Sequence, residues 1–186
     1  MIHMLIGIPG SGKSTFAKEL KEELKCEVIS TDYVRQSHPE WPESRIWPEV
    51  YRLSYLALVE NRDVIFDATN ITPKVRKRYI DEVENLGCNM SICGYYFDTP
   101  TKVCLERVML RNLDPNELYL PPEVVESYGS RIIKPKLSEG FSYLKFIKNG
   151  EIIPIDDVRL DVVFDNPTPD SVKEVLYNEY KKFKNE

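Results

Sequence analysis

Histidine is close to absent from this chain, with His3 and His38 the two present in 186 residues. The four cysteines, Cys26, Cys88, Cys93 and Cys104, form no C-x-x-C pair and have no histidine cluster beside them. That composition leaves no basis for a zinc site and points to reduced thiols. Long hydrophobic runs are missing too, so nothing here is built to span a bilayer as a helix. The N-terminus lacks a basic segment followed by an apolar stretch, the mark of a secretory signal. A cytoplasmic protein with no membrane partner is the expectation. Positive charge is not in excess either: 25 Lys and Arg stand against 30 Asp and Glu, a net charge of −5. Broad adhesion to nucleic acid is therefore disfavoured, although a small local basic site is not. There is no internal repeat and no low-complexity linker. One domain over residues 1–186 is expected, large enough for a sizeable core.

What is present is a phosphate-binding loop. Gly7-Ile8-Pro9-Gly10-Ser11-Gly12-Lys13-Ser14, followed by Thr15, satisfies G-x-x-x-x-G-K-[ST] in full. The glycines let the backbone curl and aim N–H groups at phosphate oxygens. Lys13 brings a mobile charge to the β/γ-phosphates, and the Ser14 hydroxyl can ligate Mg²⁺. Met4-Leu5-Ile6 reads as a buried strand before the loop. Ser14 to Lys25 reads as a helix after it, with Phe16, Ala17, Leu20 and Leu24 on one face. The expected nucleotide set is Gly7, Pro9, Gly10, Ser11, Gly12, Lys13, Ser14 and Thr15, with ATP and Mg²⁺ as cofactors. Lys13 is expected in a solvated loop, free to move until ligand arrives.

Strands and helices then alternate, which argues for an α/β fold with a parallel sheet covered on both faces. Glu27 to Ser30 is a short second strand ending at Thr31-Asp32. The Pro-rich stretch from His38 to Ser44 breaks regular structure, and Pro48 is placed to open a helix at its first position. Val64 to Asp67 is a third strand. Thr72 as cap and Pro73 at the first position start a helix with a Val75, Tyr79, Val83, Leu86 stripe, stopped by Gly87. Met90 to Phe97 is a fourth strand. Thr99-Pro100 repeats the cap signal for a helix through Asn112, and Glu123 to Ile133 is a further helix. A helical lid over about residues 100–135 follows from this order. Strand-like runs come next at Tyr143 to Lys148, Ile152 to Ile155 and Asp161 to Phe164, with a closing helix from about Ser171.

Two arginines, two aspartates and one basic segment stand out around that frame. Arg107 and Arg111 lie four apart and share a helix face, suited to close over a triphosphate. A solvated surface pair would show the same spacing. Asp32 follows the second strand, at the end where open α/β sheets bind ligands, and could accept a proton from an attacking hydroxyl. Asp67 ends the third strand after three apolar residues, as an acid that holds Mg²⁺ does. Either aspartate could instead cap the following segment. Lys74, Arg76, Lys77 and Arg78 form a basic segment that could guide a nucleic-acid backbone or simply face solvent.

Taken in order, several segments resemble the kinase domain of phage-type 5′-hydroxyl polynucleotide kinases. They are Gly7 to Thr15, Thr31-Asp32-Tyr33-Val34-Arg35-Gln36-Ser37, Val64 to Asn70 with Pro73 and Arg76, and Arg107-x-x-x-Arg111 with a downstream Pro-Pro-Glu-Val-Val. The resemblance covers about Met4 to Pro135 and implies a P-loop kinase that moves the γ-phosphate of ATP to 5′-OH ends of RNA or DNA. It implies Asp32 as general base, with Lys13 and Ser14 serving phosphates and metal, beside the Asp67 that its strand-end position already marks as a magnesium holder. Arg107 and Arg111 would contact nucleotide, Arg111 as the lid cation. Arg35 would hold an acceptor phosphate, and Thr69, Asn70 and Arg76 would belong to the acceptor site. Phe164-Asp165-Asn166-Pro167-Thr168 only superficially echoes the D-x-D-G-T phosphatase motif of some members. It reads as a loop that could wall the adenine pocket. Two other readings stay open: a small-molecule or aminoacyl-tRNA kinase of the same fold, and an ATP-binding assembly factor with no acceptor.

Overall fold

A computed structural model of the protein describes residues 1–87, 90–148 and 151–152. These lie in one compact unit, bounded by Met1–Ile153. The strand run at Asp161 to Phe164, most of the run from Ile152, the loop at Asp165 and the closing helix fall outside the described residues.

Six strands form one sheet: β1 (Ile2–Ile6), β2 (Glu27–Ser30), β3 (Val64–Asp67), β4 (Ile92–Phe97), β5 (Tyr143–Lys148) and β6 (Glu151–Ile152). Their order is β2-β3-β1-β4-β5-β6. The first five run parallel, and β6 turns back antiparallel on β5 through Ile147↔Ile152. The expected parallel sheet is therefore present. Alternation along the strands feeds two cores, as the period of two requires. Ile2, Met4, Ile6, Val64, Phe66 and Ile92 pack with α3 (Glu43–Val59) and α4 (Pro73–Asn85). Leu5, Ile65, Cys93, Tyr95 and Phe97 pack with Ala17 and Leu20 of α1 (Lys13–Leu24) on the opposite side. A third cluster joins Ile8 and Ile71 to Cys104 and Val108 of α5 (Thr101–Arg111) and Val125 of α6 (Pro122–Arg131). It seats the lid on the phosphate loop.

Local chemistry explains most boundaries. Thr72 caps α4, its hydroxyl accepting from the Val75 N–H, with Pro73 at the start of the helix. Three expectations need correction, and one helix has no counterpart in the sequence reading. Thr31–Ser37 is a helix, α2, because the Ser30 hydroxyl accepts from the N–H groups of Asp32 and Tyr33 and so caps it. Pro48 lies inside α3 rather than at its start, since burial of Ile46 carries the helix back to Glu43. Thr99 does not cap α5; its hydroxyl donates to the Ser11 carbonyl instead. Leu24 and Leu86 are exposed at helix ends, whereas Arg76 joins the buried stripe of α4. Among the described residues no helix is long and apolar enough to cross a membrane.

Candidate active site

The phosphate loop leaves β1 at Gly7, whose N–H donates to the Thr69 carbonyl at 3.0 Å and so ties the loop's mouth to the segment after β3. Gly10 and Gly12 carry φ of 81° and 101°, values only glycine adopts without strain. A Cβ on Gly10 would lie 2.4 Å from the Cys104 carbonyl oxygen, so α5 packs directly on the loop. Over Gly12 the nearest atom would be Arg107 Nη1 at 4.0 Å, which leaves that side open for phosphates.

Lys13 is only 7% exposed, not solvated as expected. Its ammonium donates to the Ile8 carbonyl at 2.9 Å and lies 3.4 Å from Ser11 Oγ. Burial lowers its pKa, opposed mainly by the Asp67 carboxylate and also by Asp32, while Arg111 adds to the lowering. Lys13 is thus poised within the field of the very groups expected around it.

Ser14 and Asp67 do meet. The Ser14 hydroxyl donates to Asp67 Oδ2 at 2.9 Å across 53 residues of sequence. Burial pushes the Asp67 carboxyl up, and Lys13 and the Ser14 hydroxyl pull it back. A hydroxyl and a carboxylate side by side are the hard oxygen donors that suit Mg²⁺, which completes its shell with phosphates and water. Among the described residues there is no cluster of three or more His, Cys, Asp or Glu that would form a protein-only metal cage. Ser14 and Asp67 are the residues that would hold the ion.

Asp32 lies just beyond the carboxyl end of β2, its side chain 72% exposed. It is not the cap of α2, because Ser30 is, and Asp67 is not the cap of α4, because Thr72 is. Arg35 Nη1 donates to Asp32 Oδ1 at 2.7 Å. Glu43, unremarked in the sequence, accepts from Arg35 Nε at 3.1 Å and Nη2 at 2.6 Å. The pair acts on both partners: the hydrogen bonds that Arg35 donates to Glu43 raise the Arg35 pKa, and the same bonds hold the Glu43 carboxyl low. Three of the five N–H donors of a guanidinium are used here, and two point elsewhere.

Arg107 Nη1 donates to the Gly10 carbonyl at 3.2 Å. Arg111, one turn on, has its Nε 4.0 Å from Glu117 and lies close enough to depress Lys13. The pair therefore borders the loop rather than decorating a remote surface. Behind it, Asn112 and Leu120 exchange two bonds that clip the irregular lid segment, Nδ2 to the Leu120 carbonyl at 2.8 Å and Oδ1 from the Leu120 N–H at 3.0 Å.

The expected acceptor residues divide. Thr69 is half-buried at the loop mouth. Asn70 is fully buried with φ 48°, and its Nδ2 donates to the Leu5 carbonyl at 2.8 Å, so its amide braces β1. Arg76 is corrected outright as a substrate contact and as part of a basic surface. It has no exposure, and its donors go to Glu139, the Asn70 carbonyl and the Ile133 carbonyl. Glu43 and Glu139 were missed, and Thr99 was read only as a cap, because nothing in their spacing ties them to their partners.

This sheet, loop and lid define a P-loop nucleotide-binding protein with the kinase-type α/β fold. A family model described as AAA domain (AAA_33) matches residues 2–135, and the chain belongs to that family. It is 31% identical over 129 residues to the L-seryl-tRNA(Sec) kinase of Methanococcus maripaludis, a match that covers 63% of this chain and 49% of that protein. The chain thus spans about half the length of that relative. The structure of the Pnkp1/Rnl/Hen1 RNA repair complex superposes with a TM-score of 0.61 at 24% identity, over 70% of this chain and 43% of that one. Chaetomium thermophilum Kti12 in complex with ADP-AlF3 superposes with a TM-score of 0.58 at 19% identity, over 80% and 89%. At these identities the two structures share the fold.

Proposed function

We propose that this protein transfers the γ-phosphate of ATP to the 5′-hydroxyl end of an RNA or DNA strand. The observation that carries the reading is the Asp32–Arg35 pair, a carboxylate bonded at 2.7 Å to a guanidinium with free donors, beside a complete phosphate loop. A phosphoryl transfer needs a group to take the acceptor's proton, and Asp32 is exposed and close enough to influence Lys13 and Asp67. Arg35 then suits the phosphate on the 3′ side of the terminal nucleoside, held by charge-assisted bonds. In the step itself the 5′-oxygen attacks the γ-phosphorus and its proton passes to an Asp32 oxygen. The bond from the γ-phosphorus to the bridging oxygen breaks, and ADP leaves with that electron pair. Lys13, Arg107 and Arg111 supply positive charge where negative charge spreads over the moving phosphoryl group. A magnesium ion held by Ser14 and Asp67 would supply further positive charge against the triphosphate.

A second reading has its own support, the 31% identity to a seryl-tRNA(Sec) kinase. There the acceptor hydroxyl belongs to a seryl group carried on tRNA, and the same Asp32 takes the proton. Transfer from γ-labelled ATP separates the readings, tried on 5′-OH oligonucleotides, nucleoside 3′-monophosphates, plain nucleosides, sugars and seryl-tRNA. Oligonucleotides and nucleoside 3′-monophosphates should be labelled well and plain nucleosides poorly. Arg35→Leu should weaken the former while sparing ADP binding. Equal labelling of plain nucleosides or sugars, or labelling of seryl-tRNA alone, overturns the polynucleotide assignment.

A further inference from the structure

Arg76 is the most buried charge among the described residues, and its side-chain hydrogen bonds join the segment after β3, the exit from the lid and the turn before β5. Its side chain has no exposure, and that of Glu139 has 12%. Arg76 Nε and Nη2 donate to the two Glu139 carboxylate oxygens at 2.7 and 2.9 Å, a fork-to-fork pairing. Nη1 donates to two backbone carbonyls, Asn70 at 2.9 Å and Ile133 at 3.1 Å. Glu139 Oε1 also accepts the Lys136 N–H at 3.0 Å, which fixes the short 3₁₀ turn Leu137–Glu139 before β5.

Three segments therefore converge on one guanidinium. The first is the loop after β3, where Asn70 sits in the left-handed region and Thr69 holds the Gly7 N–H. The second is the exit from the lid, where Ile133 is bonded again through its own N–H to the Ile71 carbonyl at 2.8 Å. The third is the turn that carries Glu139. Toward its other end the lid touches the phosphate loop through Arg107 and the Gly10 carbonyl. A buried ion pair is weak evidence for stability, since well-packed apolar residues often do as well. Its planar, directional donors do something an apolar cluster does not: they fix the relative position of separate backbones.

We propose that Arg76 is a positioning residue, which sets the carboxyl-terminal hinge of the lid against the mouth of the phosphate loop. The lid arginines then meet the phosphates in register. This rests on the phosphotransferase reading only for its acceptor measurement.

The test uses the full chain with Arg76→Lys, Arg76→Leu and Glu139→Gln. Each is assayed well below its own melting temperature for ADP affinity, acceptor-free ATP hydrolysis, transfer to a 5′-OH oligonucleotide, and amide exchange at Gly7 and Ile133. Turnover at saturating nucleotide should fall by about ten-fold or more in all three, because small misplacements of charged groups are costly in phosphoryl transfer. ADP affinity should stay within about three-fold, since its determinants lie in the loop itself. Exchange at Gly7 and Ile133 should quicken, and Arg76→Lys should not rescue turnover, because three tetrahedral ammonium donors cannot reproduce the planar fork on both Glu139 oxygens together with the bonds to two carbonyls. A residue that only stabilises would lower the melting temperature and leave turnover intact, and that result, or full rescue by lysine, overturns the proposal. If Arg76→Leu does not fold, the lysine and glutamine variants decide. If wild type labels no oligonucleotide while the variants still slow ATP hydrolysis and loosen those amides, the substrate reading fails and the role of Arg76 stands.

Discussion

Two glycines of the phosphate loop should respond very differently to the same added methyl group. Gly10 and Gly12 both carry positive φ, 81° and 101°, so alanine at either pays a left-handed penalty of about 1–2 kcal/mol. Their surroundings differ. At Gly10 the new Cβ would lie 2.4 Å from the Cys104 carbonyl oxygen and 3.1 Å from the Cys104 carbonyl carbon and Cα. These are backbone atoms of a fully buried helical residue and cannot swing aside. Overpacking of that kind adds about 1–3 kcal/mol. At Gly12 the nearest atom is the far end of Arg107, at 4.0 Å, and no further cost arises. Gly10→Ala should therefore be destabilised by about 2–5 kcal/mol and Gly12→Ala by about 1–2 kcal/mol. In a chain of this size each kcal/mol is worth about 2–4 °C, so the melting temperatures should fall on the order of 10 °C and 4 °C. Circular dichroism melts of the two variants read this directly. Cys104→Ala in the Gly10→Ala background should bring no recovery, because the clash is with backbone and not with the thiol. Equal losses in the two variants, or rescue by Cys104→Ala, would refute the packing of α5 on the loop.

Asp32→Asn should keep ADP binding and leave Arg35 in place, because the amide oxygen can still accept the bond that Arg35 Nη1 makes to Oδ1. Transfer should fall by about 10²–10⁴-fold for loss of the base; a variant that binds nucleotide poorly yet turns over normally at saturation would move the base elsewhere. Asp67 predicts a pH dependence with a definite sign. Burial raises its carboxyl in the folded state, so the native protein holds this proton to higher pH than the unfolded chain does. Its contribution to stability therefore declines as pH rises from the ordinary carboxylate value through the raised one, and Asp67→Asn should flatten that part of the profile. Magnesium affinity in the presence of ADP should correspondingly weaken on acidification before the ordinary carboxylate range is reached; affinity that stays flat into that range would contradict the assignment.

The phosphate loop, the first four parallel strands of the chain and the cap of α4 were legible because each depends on neighbours in sequence. Glycine is needed where φ turns positive at Gly10 and Gly12, and a cap signal such as Thr72-Pro73 acts over three residues. Ser14 and Asp67 were each legible as candidate magnesium holders, but that they meet follows from the pairing of β1 with β3, which strand order in the sequence does not give. The helix α2 escaped notice because its single cap, Ser30, is also the last residue of a strand. Spacing gives the face a residue occupies but not the partner that arrives there. Whether a basic residue on α4 faces water or core was decided by Glu139, 63 residues away, which makes burial of Arg76 tolerable. Likewise the bidentate hold of Glu43 on Arg35 and the burial of Lys13 against the Ile8 carbonyl exist only once α3 and the loop are packed. By itself the sequence determined a nucleotide-binding loop on an alternating α/β chain, because those are matters of local backbone freedom and periodicity. Tertiary structure decided which charges face the ligand and which brace the scaffold, because a buried charge is stable only where distant segments bring it a counter-charge and hydrogen-bond partners.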